Sequence, residues 1–477
     1  MLNTRLVLWI SALLAAAFGT YILYDANPGI NWGLWVAATS AGLITTRMAA
    51  GKPVRTHTYV LLSWATLLAF AASVTAVDVH APLIIATVAI LLGLAVTTLD
   101  DSALGITLPS VVQVPFTAVT RVGKQSGSEF VALPANARGL RGQPGLRGVL
   151  LSVPVVLILV ALLSKADPIL DSVRDVLLGW MDNWVIDGQL VFFVVLALIT
   201  LGAYGLAAAA RDQVAPRLRE SEPAFRFGRA ETKMLLYSVN AVLWIFVLLQ
   251  LVALTRNPGA TAGTGITFAE YARRGFAELS VAAAFVLGVI LVIEVFRKPE
   301  PGEKRRLELT AILAIVLILA SAFRRVLLYE AAYGYTTDRL IAHVYMIVLA
   351  GAFIMLAWDL SRGAVSAAFG RRGMTLTLAA VTAFMYWNYE GWVVRQNLER
   401  ASQGAELDVK YLNSLSLAAV PALVEGRNSL NPEHRAVLDS ALRCRKIPAT
   451  PAWYERNLRV DAARAALSSF AGQCARK

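Results

Sequence analysis

Eleven runs of mostly apolar residues punctuate the chain: Leu6–Tyr24, Ile30–Thr46, Tyr59–Val77, Leu83–Leu99, Gly148–Ser164, Gln189–Ala210, Met234–Leu254, Ala277–Phe296, Leu309–Leu328, Leu340–Trp358 and Met374–Trp392. Each is apolar on all sides rather than striped at helical spacing. Runs of roughly 17–25 such residues match a hydrocarbon layer about 30 Å thick at 1.5 Å rise per residue. Backbone polar groups inside lipid must be satisfied within the segment, so each run predicts a spanning α-helix. The first run has no clear small-residue cleavage site before Asp25 and is kept as a span rather than a signal peptide. The pattern predicts an all-α fold. Residues 1–395 form a polytopic transmembrane helix bundle and residues 396–477 a small C-terminal helical domain.

Three segments between the runs carry weaker patterns. Ser102–Arg147 holds Pro109, Pro115, Pro134 and Pro144 and reads as a long loop, with a short amphipathic piece around Val111–Val119. In Ile169–Asp187, Leu170, Val173, Leu177, Trp180 and Trp184 recur at helical spacing, which predicts a helix lying on the membrane surface. Thr267–Phe276 reads as a helical lead into the eighth run.

The tail from Gln396 is polar with helical stripes. Asp408–Val424 predicts one helix, disturbed in its later half by Pro421. Asn431-Pro432-Glu433 is a helix start: a capping side chain, proline in the first turn and an acid at the positive dipole end. Thr450-Pro451 repeats that signal before a helix expected to carry Trp453, Leu458, Leu467 and Phe470. The two cysteines, Cys444 and Cys474, are both in this tail. A bridge between them would close a loop worth about 3–4 kcal/mol in the chain-entropy model. Two free, partly buried thiols are the alternative.

Composition agrees with the pattern. Of 477 residues, 57% are hydrophobic and 16% charged, against about 25% charged in a soluble protein. Mean hydropathy is +0.59. The net charge of +12 would suggest nucleic acid in a soluble domain. Here it reads as basic loops that fix topology, with the lipid bilayer and no nucleic acid as partner. With the N-terminus placed in the cytoplasm, twenty-three Lys and Arg fall in cytoplasmic segments and eight in outer connections. That bias predicts a multi-pass protein of the cell (inner) membrane, N-terminus cytoplasmic and C-terminus extracytoplasmic.

Catalytic signatures are missing from the sequence. It has no phosphate-binding glycine loop of the Walker type, no H-E-x-x-H and no nucleophile elbow between a strand and a helix. His57, His80, His343 and His434 are dispersed. No metal and no cofactor is expected, and the reading leans away from an enzyme.

Polar residues gather instead at the predicted outer edge of the last five runs. Arg273, Arg274 and Glu278 enter the eighth; Arg324, Arg325, Tyr329, Glu330 and Tyr333 end the ninth. Arg339 and His343 open the tenth, and Asn388 and Glu390 close the eleventh. From Leu309 to Phe323 the ninth run covers only about 22 Å, which places Arg324 and Arg325 at the margin of the hydrocarbon. A charge at the helix centre costs at least ~2.5 kcal/mol, so partners are expected. Arg325, Tyr329 and Tyr333 share one helix face by spacing. Two readings stand: an ion-pair network that fixes packing, with Glu270, Glu278, Glu330, Asp338 and Glu390 as acids, or a polar pocket in which the arginine forks hold an anionic group.

These stretches also carry a resemblance. Tyr271-Ala-Arg-Arg-Gly-Phe-x-Glu-Leu279, then Phe323-Arg-Arg-x-Leu-Leu-Tyr-Glu-x-Ala-Tyr-Gly-x-Thr336 with Arg339-Leu340, resembles the bacterial membrane family called domain of unknown function 4173, with its relative 4153. Asp408–Leu423 and Asn388–Asn397 are similar to the family's segments at and after its last span, although Tyr389 and Trp392 depart from it. The resemblance covers roughly Lys233–Val424. It implies a multi-pass bacterial membrane protein and transfers no activity and no catalytic residue.

Three functions compete at this stage. The first is a receptor-like or accessory protein whose outer Arg/Tyr pocket takes an anionic small molecule, a lipid headgroup or an extracytoplasmic protein. The second is a secondary transporter. The third is a membrane enzyme on a lipid-linked substrate, with Glu278, Glu330 or Glu390 as base.

Overall fold

The computed structural model describes residues 4–77, 80–101, 108–131, 188–209, 228–255, 276–297, 305–363, 365–366, 368–448 and 451–470. The described elements are all helical. In chain order they are α1 (Thr4–Leu23), α2 (Ile30–Ala49), α3 (Thr56–Phe70), α4 (His80–Thr97), α5 (Leu108–Val131), α6 (Gly188–Ala208), α7 (Arg229–Thr255) and α8 (Phe276–Phe296). Then follow α9 (Arg306–Tyr333), α10 (Thr337–Ser361), α11 (Phe369–Tyr386), α12 (Tyr389–Ser402), α13 (Val409–Ser414), α14 (Val420–Gly426), α15 (Pro432–Arg443) and α16 (Leu458–Leu467). Among the described residues, six helices are long and apolar enough to cross a membrane: 4–23, 80–97, 188–208, 230–251, 306–333 and 337–361. Ten of the eleven predicted runs coincide with helices; the fifth, Gly148–Ser164, lies outside the described residues, as does the surface helix expected at Ile169–Asp187.

The apolar helices pack in two groups. In the first, α1, α2, α3, α4 and α6 bury Leu8, Leu61, Leu68, Ile84, Leu91 and Tyr204. Small residues let these helices approach closely. A Cβ on Gly33 would stand 2.2 Å from the Phe70 ring, and one on Gly42 would stand 2.3 Å from the Tyr204 hydroxyl. That hydroxyl donates to Thr39 O at 2.9 Å, so the close approach also satisfies a buried phenol. In the second group α7, α8, α9 and α10 enclose Ile290, Ile315, Phe353 and Leu356. Helix α11 joins the two: Trp64 Nε1 donates to Thr382 Oγ1 at 3.1 Å on one side, and Leu376 lies against Gly351 on the other.

One end of the bundle carries the tail. The opposite end, where Thr4 Oγ1 donates to Ala49 O, is closed by buried ion pairs. Arg47 bonds Asp100 (2.8 Å), Leu99 O and Pro53 O, tying α2 to the end of α4. Arg297 lies 3.2 Å from Glu294 and 3.0 Å from Glu308, and Arg305 lies 3.4 Å from Glu294. All four of these side chains are buried. Arg372 bonds Asp359 at 2.6 Å. Charges at this depth persist because each finds an opposite charge.

Three elements depart from the expectations drawn from sequence. Helix α5 runs from Leu108 to Val131, much longer than the piece expected at Val111–Val119. Pro109 sits in its first turn, where a missing N–H costs nothing, and Ser126 Oγ bonds Leu198 O on α6 at 2.6 Å. The eleventh run does not continue to Trp392. Helix α11 stops at Tyr386, Trp387 is extended, and Asn388 starts α12 by accepting from Gly391 N. The tail helix expected at Asp408–Val424 is divided. Asp408 caps α13, Ser416 caps a single 3-10 turn, and Pro421 lies at the start of α14, where its ring is tolerated.

The tail's own core begins upstream of Gln396. Tyr389, Val393, Val394 and Leu398 of α12 pack with Leu412, Val420, Leu423, Leu438, Leu442, Ala463 and Leu467, and Leu340 of α10 joins them. Asn431 caps α15 as its sequence predicts, accepting from His434 N at 2.8 Å. Thr450 lies outside the described residues. The next helix starts not there but at Leu458, capped by Asn457. Cys444, just past α15, is disulfide-bonded; its expected partner Cys474 lies outside the described residues.

Candidate functional site

Helix α9 has 28 residues and is therefore about 42 Å long, longer than a hydrocarbon core. Its last turns reach the tail end of the bundle. Gly334 terminates it at φ +82, in the left-handed region that glycine adopts without strain. Glycine is required there for a second reason: a Cβ would come within 2.4 Å of Asn397 Oδ1. Thr336 then caps α10.

The polar residues of this end form three groupings. Arg325 Nη2 donates to Gln250 Oε1 on α7 at 2.6 Å, and Ser321 Oγ reaches the same oxygen at 3.2 Å. Tyr329 and Tyr333, one turn apart, have ring centroids 4.9 Å apart. The Arg339 guanidinium lies 4.1 Å over the Tyr329 ring and also donates to Gly334 O. Tyr333 is 53% exposed, so the stack Arg339–Tyr329–Tyr333 opens to the surroundings. A guanidinium held face-on to a ring keeps its N–H edge free for an anion. Glu330, on another face of α9, is buried, with Oε1 3.6 Å from His343 Nδ1. The His343 ring packs at 4.5 Å on Phe323, and its Nε2 is buried without a hydrogen-bond partner among the described residues.

Arg324 is exposed beside Leu327 and Leu328 on the outer surface of α9. Neither Arg324 nor Arg339 forms a salt bridge among the described residues. Arg273 and Arg274 lie outside the described residues. Glu278 falls in the first turn of α8, and its side chain is outside them too.

Asn388 and Glu390 sit elsewhere, in the joint between bundle and tail. Asn388 Nδ2 donates to Ala418 O at 3.0 Å. Glu390 accepts from Ser416 N at 3.1 Å and from Ser416 Oγ. Burial pushes the Glu390 carboxyl above its usual range, while the Ser416 bonds and the Arg445 charge pull it back. Burial likewise lowers Arg445, against the pull of Glu390.

The same joint holds contacts that sequence reasoning did not single out. Tyr335 N donates to Asn397 Oδ1 (2.9 Å) while Asn397 Nδ2 donates to Tyr335 O (2.8 Å). Thr337 N donates to Tyr411 OH at 2.8 Å. Tyr389 OH meets His80 Nε2 at 3.0 Å, with Thr75 Oγ1 on the other ring nitrogen at 2.6 Å. Apart from Thr75 and His80, five positions from each other, nothing in local spacing signals these pairs, because the partners are 62–309 positions apart.

Neither a curated protein nor a solved structure matches the chain. A family model described as Domain of unknown function (DUF4153) matches residues 10–426, which takes in the early helices as well as the stretch recognised from its motifs. An all-helical membrane bundle matched over most of its length places this integral membrane protein in that family, of unknown function.

Proposed function

We propose that the chain is a receptor-like or accessory protein of the bacterial cell membrane whose Arg/Tyr cluster at the tail end, on the extracytoplasmic side, binds an anionic group. The observation that carries this reading is the Arg339–Tyr329–Tyr333 stack. Its guanidinium is oriented by a ring and a backbone carbonyl, with no carboxylate in salt-bridge contact among the described residues although Glu330 is near enough to feel its charge, and its last ring is exposed. Arg324, exposed on the same helix end, adds a second positive charge within reach of a headgroup phosphate. The test is thermal unfolding of the full chain in neutral-lipid nanodiscs titrated with inorganic phosphate, and in parallel nanodiscs containing phosphatidylglycerol. Stabilisation by either that is lost in Arg339→Gln/Arg324→Gln supports the reading and separates free anion from lipid. Equal responses of wild type and variant, or none, overturn it.

A secondary transporter is the second reading, favoured by one observation: the buried Glu330–His343 pair between α9 and α10. Titratable groups inside a helix bundle are the usual carriers of proton coupling. Proteoliposomes that show no proton flux under an imposed gradient, for wild type and Glu330→Gln alike, would remove it.

A further inference from the structure

The segment between α15 and α16 faces outward where apolar residues are normally hidden. Trp453 lies in a single 3-10 turn and is 57% exposed; Leu458, opening α16, is also 57% exposed. Their sequence neighbours are held firmly. Asn27 N donates to Glu455 Oε1 at 3.1 Å and Ile30 N donates to Arg456 O at 3.1 Å, which fixes the segment on the α1–α2 connection. Asn457 Nδ2 donates to Ala72 O (2.9 Å) and Thr75 O (2.7 Å) just past α3, and Arg459 Nε donates to Val74 O at 3.1 Å. So Trp453 and Leu458 are displayed by a rigid, bundle-docked turn rather than by a loose loop.

Their depth follows from the rings. Tyr454 packs on Tyr21 of α1 with centroids 5.5 Å apart, and Trp453 packs on Tyr454 at 5.6 Å. Tyr21 is 59% exposed and ends an exposed stripe on α1 that includes Leu6, Ile10, Leu13 and Leu14. That stripe faces lipid, because α1 is a spanning helix. The exposed aromatic surface of the tail therefore meets this stripe at Tyr21. It does so at the end of a span, where Trp and Tyr are enriched at the interface. Arg456, between Trp453 and Leu458, is 65% exposed; its Nε faces Asp461 at 3.4 Å, and a guanidinium has further N–H donors that suit anionic headgroups.

We infer that the Trp453–Leu458 segment is a second membrane contact. The tail is then not a free soluble domain above the bundle but a cap whose edge enters the headgroup layer of the same bilayer. The occupant of this surface is phospholipid: Trp453 and Leu458 sit in the interfacial region, with Arg456 among the phosphates. The inference rests on the spanning role of α1 and not on the Arg/Tyr cluster of α9.

The test places a nitroxide on the full chain in nanodiscs of phosphatidylethanolamine and phosphatidylglycerol, at Trp453→Cys or Leu458→Cys. A Tyr21→Cys probe serves as the lipid reference. Val437→Cys, on α15, which packs against α13 and the turn after α14, serves as the water reference. Collisions with oxygen and with a water-soluble nickel chelate are compared. Oxygen-dominated relaxation at 453 and 458, like that at 21, is the expected result. Nickel-dominated relaxation at both, like that at 437, overturns the inference. If the labelled chains do not fold, brominated-lipid quenching of wild type and Trp453→Phe decides the question. A quenched component present in wild type and lost in the variant is expected, and identical quenching overturns the inference.

Discussion

At the scale of single residues, buried polar groups do the joining between tail and bundle. Asn457 is buried, accepts from Arg459 N and Val460 N as the cap of α16, and donates to two carbonyls past α3. Replacing it by alanine removes a cap and leaves two buried acceptors unpaired, a loss of about 2–4 kcal/mol. Asn457→Ala is expected to make the tail accessible to protease while the bundle stays resistant; an unchanged digestion pattern would count against the joint. Glu390 adds a pH dependence. Its folded carboxyl is held above its ordinary 4.5 by burial, so the native state takes up the proton more readily than the unfolded state does. Its contribution is therefore full below about pH 4.5 and is lost as pH rises through the raised value. Glu390→Gln should flatten the pH profile of tail docking measured by hydrogen exchange; parallel profiles for wild type and variant would refute this.

Legibility from sequence also divides at this scale. Arg325, Tyr329 and Tyr333 were placed on one face by spacing alone, and the structure has the two tyrosines in contact. Asn388 and Glu390 were grouped with them by being at the same end of the bundle, yet they belong to the tail joint, because a kink at Trp387 that hydropathy does not register turns the chain away. The Thr450-Pro451 signal places Trp453 and Leu458 on one helix. Their exposure follows from a helix start seven residues later than the Thr450-Pro451 signal suggested.

At the scale of helices, small residues and ion pairs decide the packing, since lipid supplies no hydrophobic drive between apolar helices. Gly33→Ala would push its Cβ into the Phe70 ring and should cost about 1–3 kcal/mol as overpacking. Equilibrium unfolding in mixed micelles measures it. Glu308→Gln removes one acid from a buried set of two acids and two arginines. Breaking a buried pair outright typically costs about 3–5 kcal/mol; Glu294 still faces both arginines here, so a loss of about 1–3 kcal/mol is expected. A change below 1 kcal/mol would show that the set is open to water. The helices themselves are plain from apolar run length, while this set is not: Glu294, Arg297, Arg305 and Glu308 look like cheap charges near span ends until the end of α8 and the start of α9 are brought together.

At the scale of the whole molecule, the first residue of α1 and the tail lie at opposite ends of the bundle. Reporters fused before Met1 and after Lys477 should report opposite sides of the membrane, the C-terminal one outside. Activity of both on one side would overturn the orientation. The order of helices is legible from hydropathy. What was not legible is that the tail contacts both helix groups, through Asn27 and Ala72 on one side and Tyr335 and Thr337 on the other.

The bond from Asn27 to Glu455 spans 428 positions, and it gives the molecule a timetable. The α1–α2 hairpin is made, and enters the membrane, more than four hundred residues before the segment that seals it. Until it arrives, Ala72, Thr75 and the α1–α2 connection present unpaired backbone groups at the surface. A ribosome stalled late, or a chain clipped ahead of α16, would thus leave an inserted but unsealed bundle that quality-control proteases can recognise by its open end.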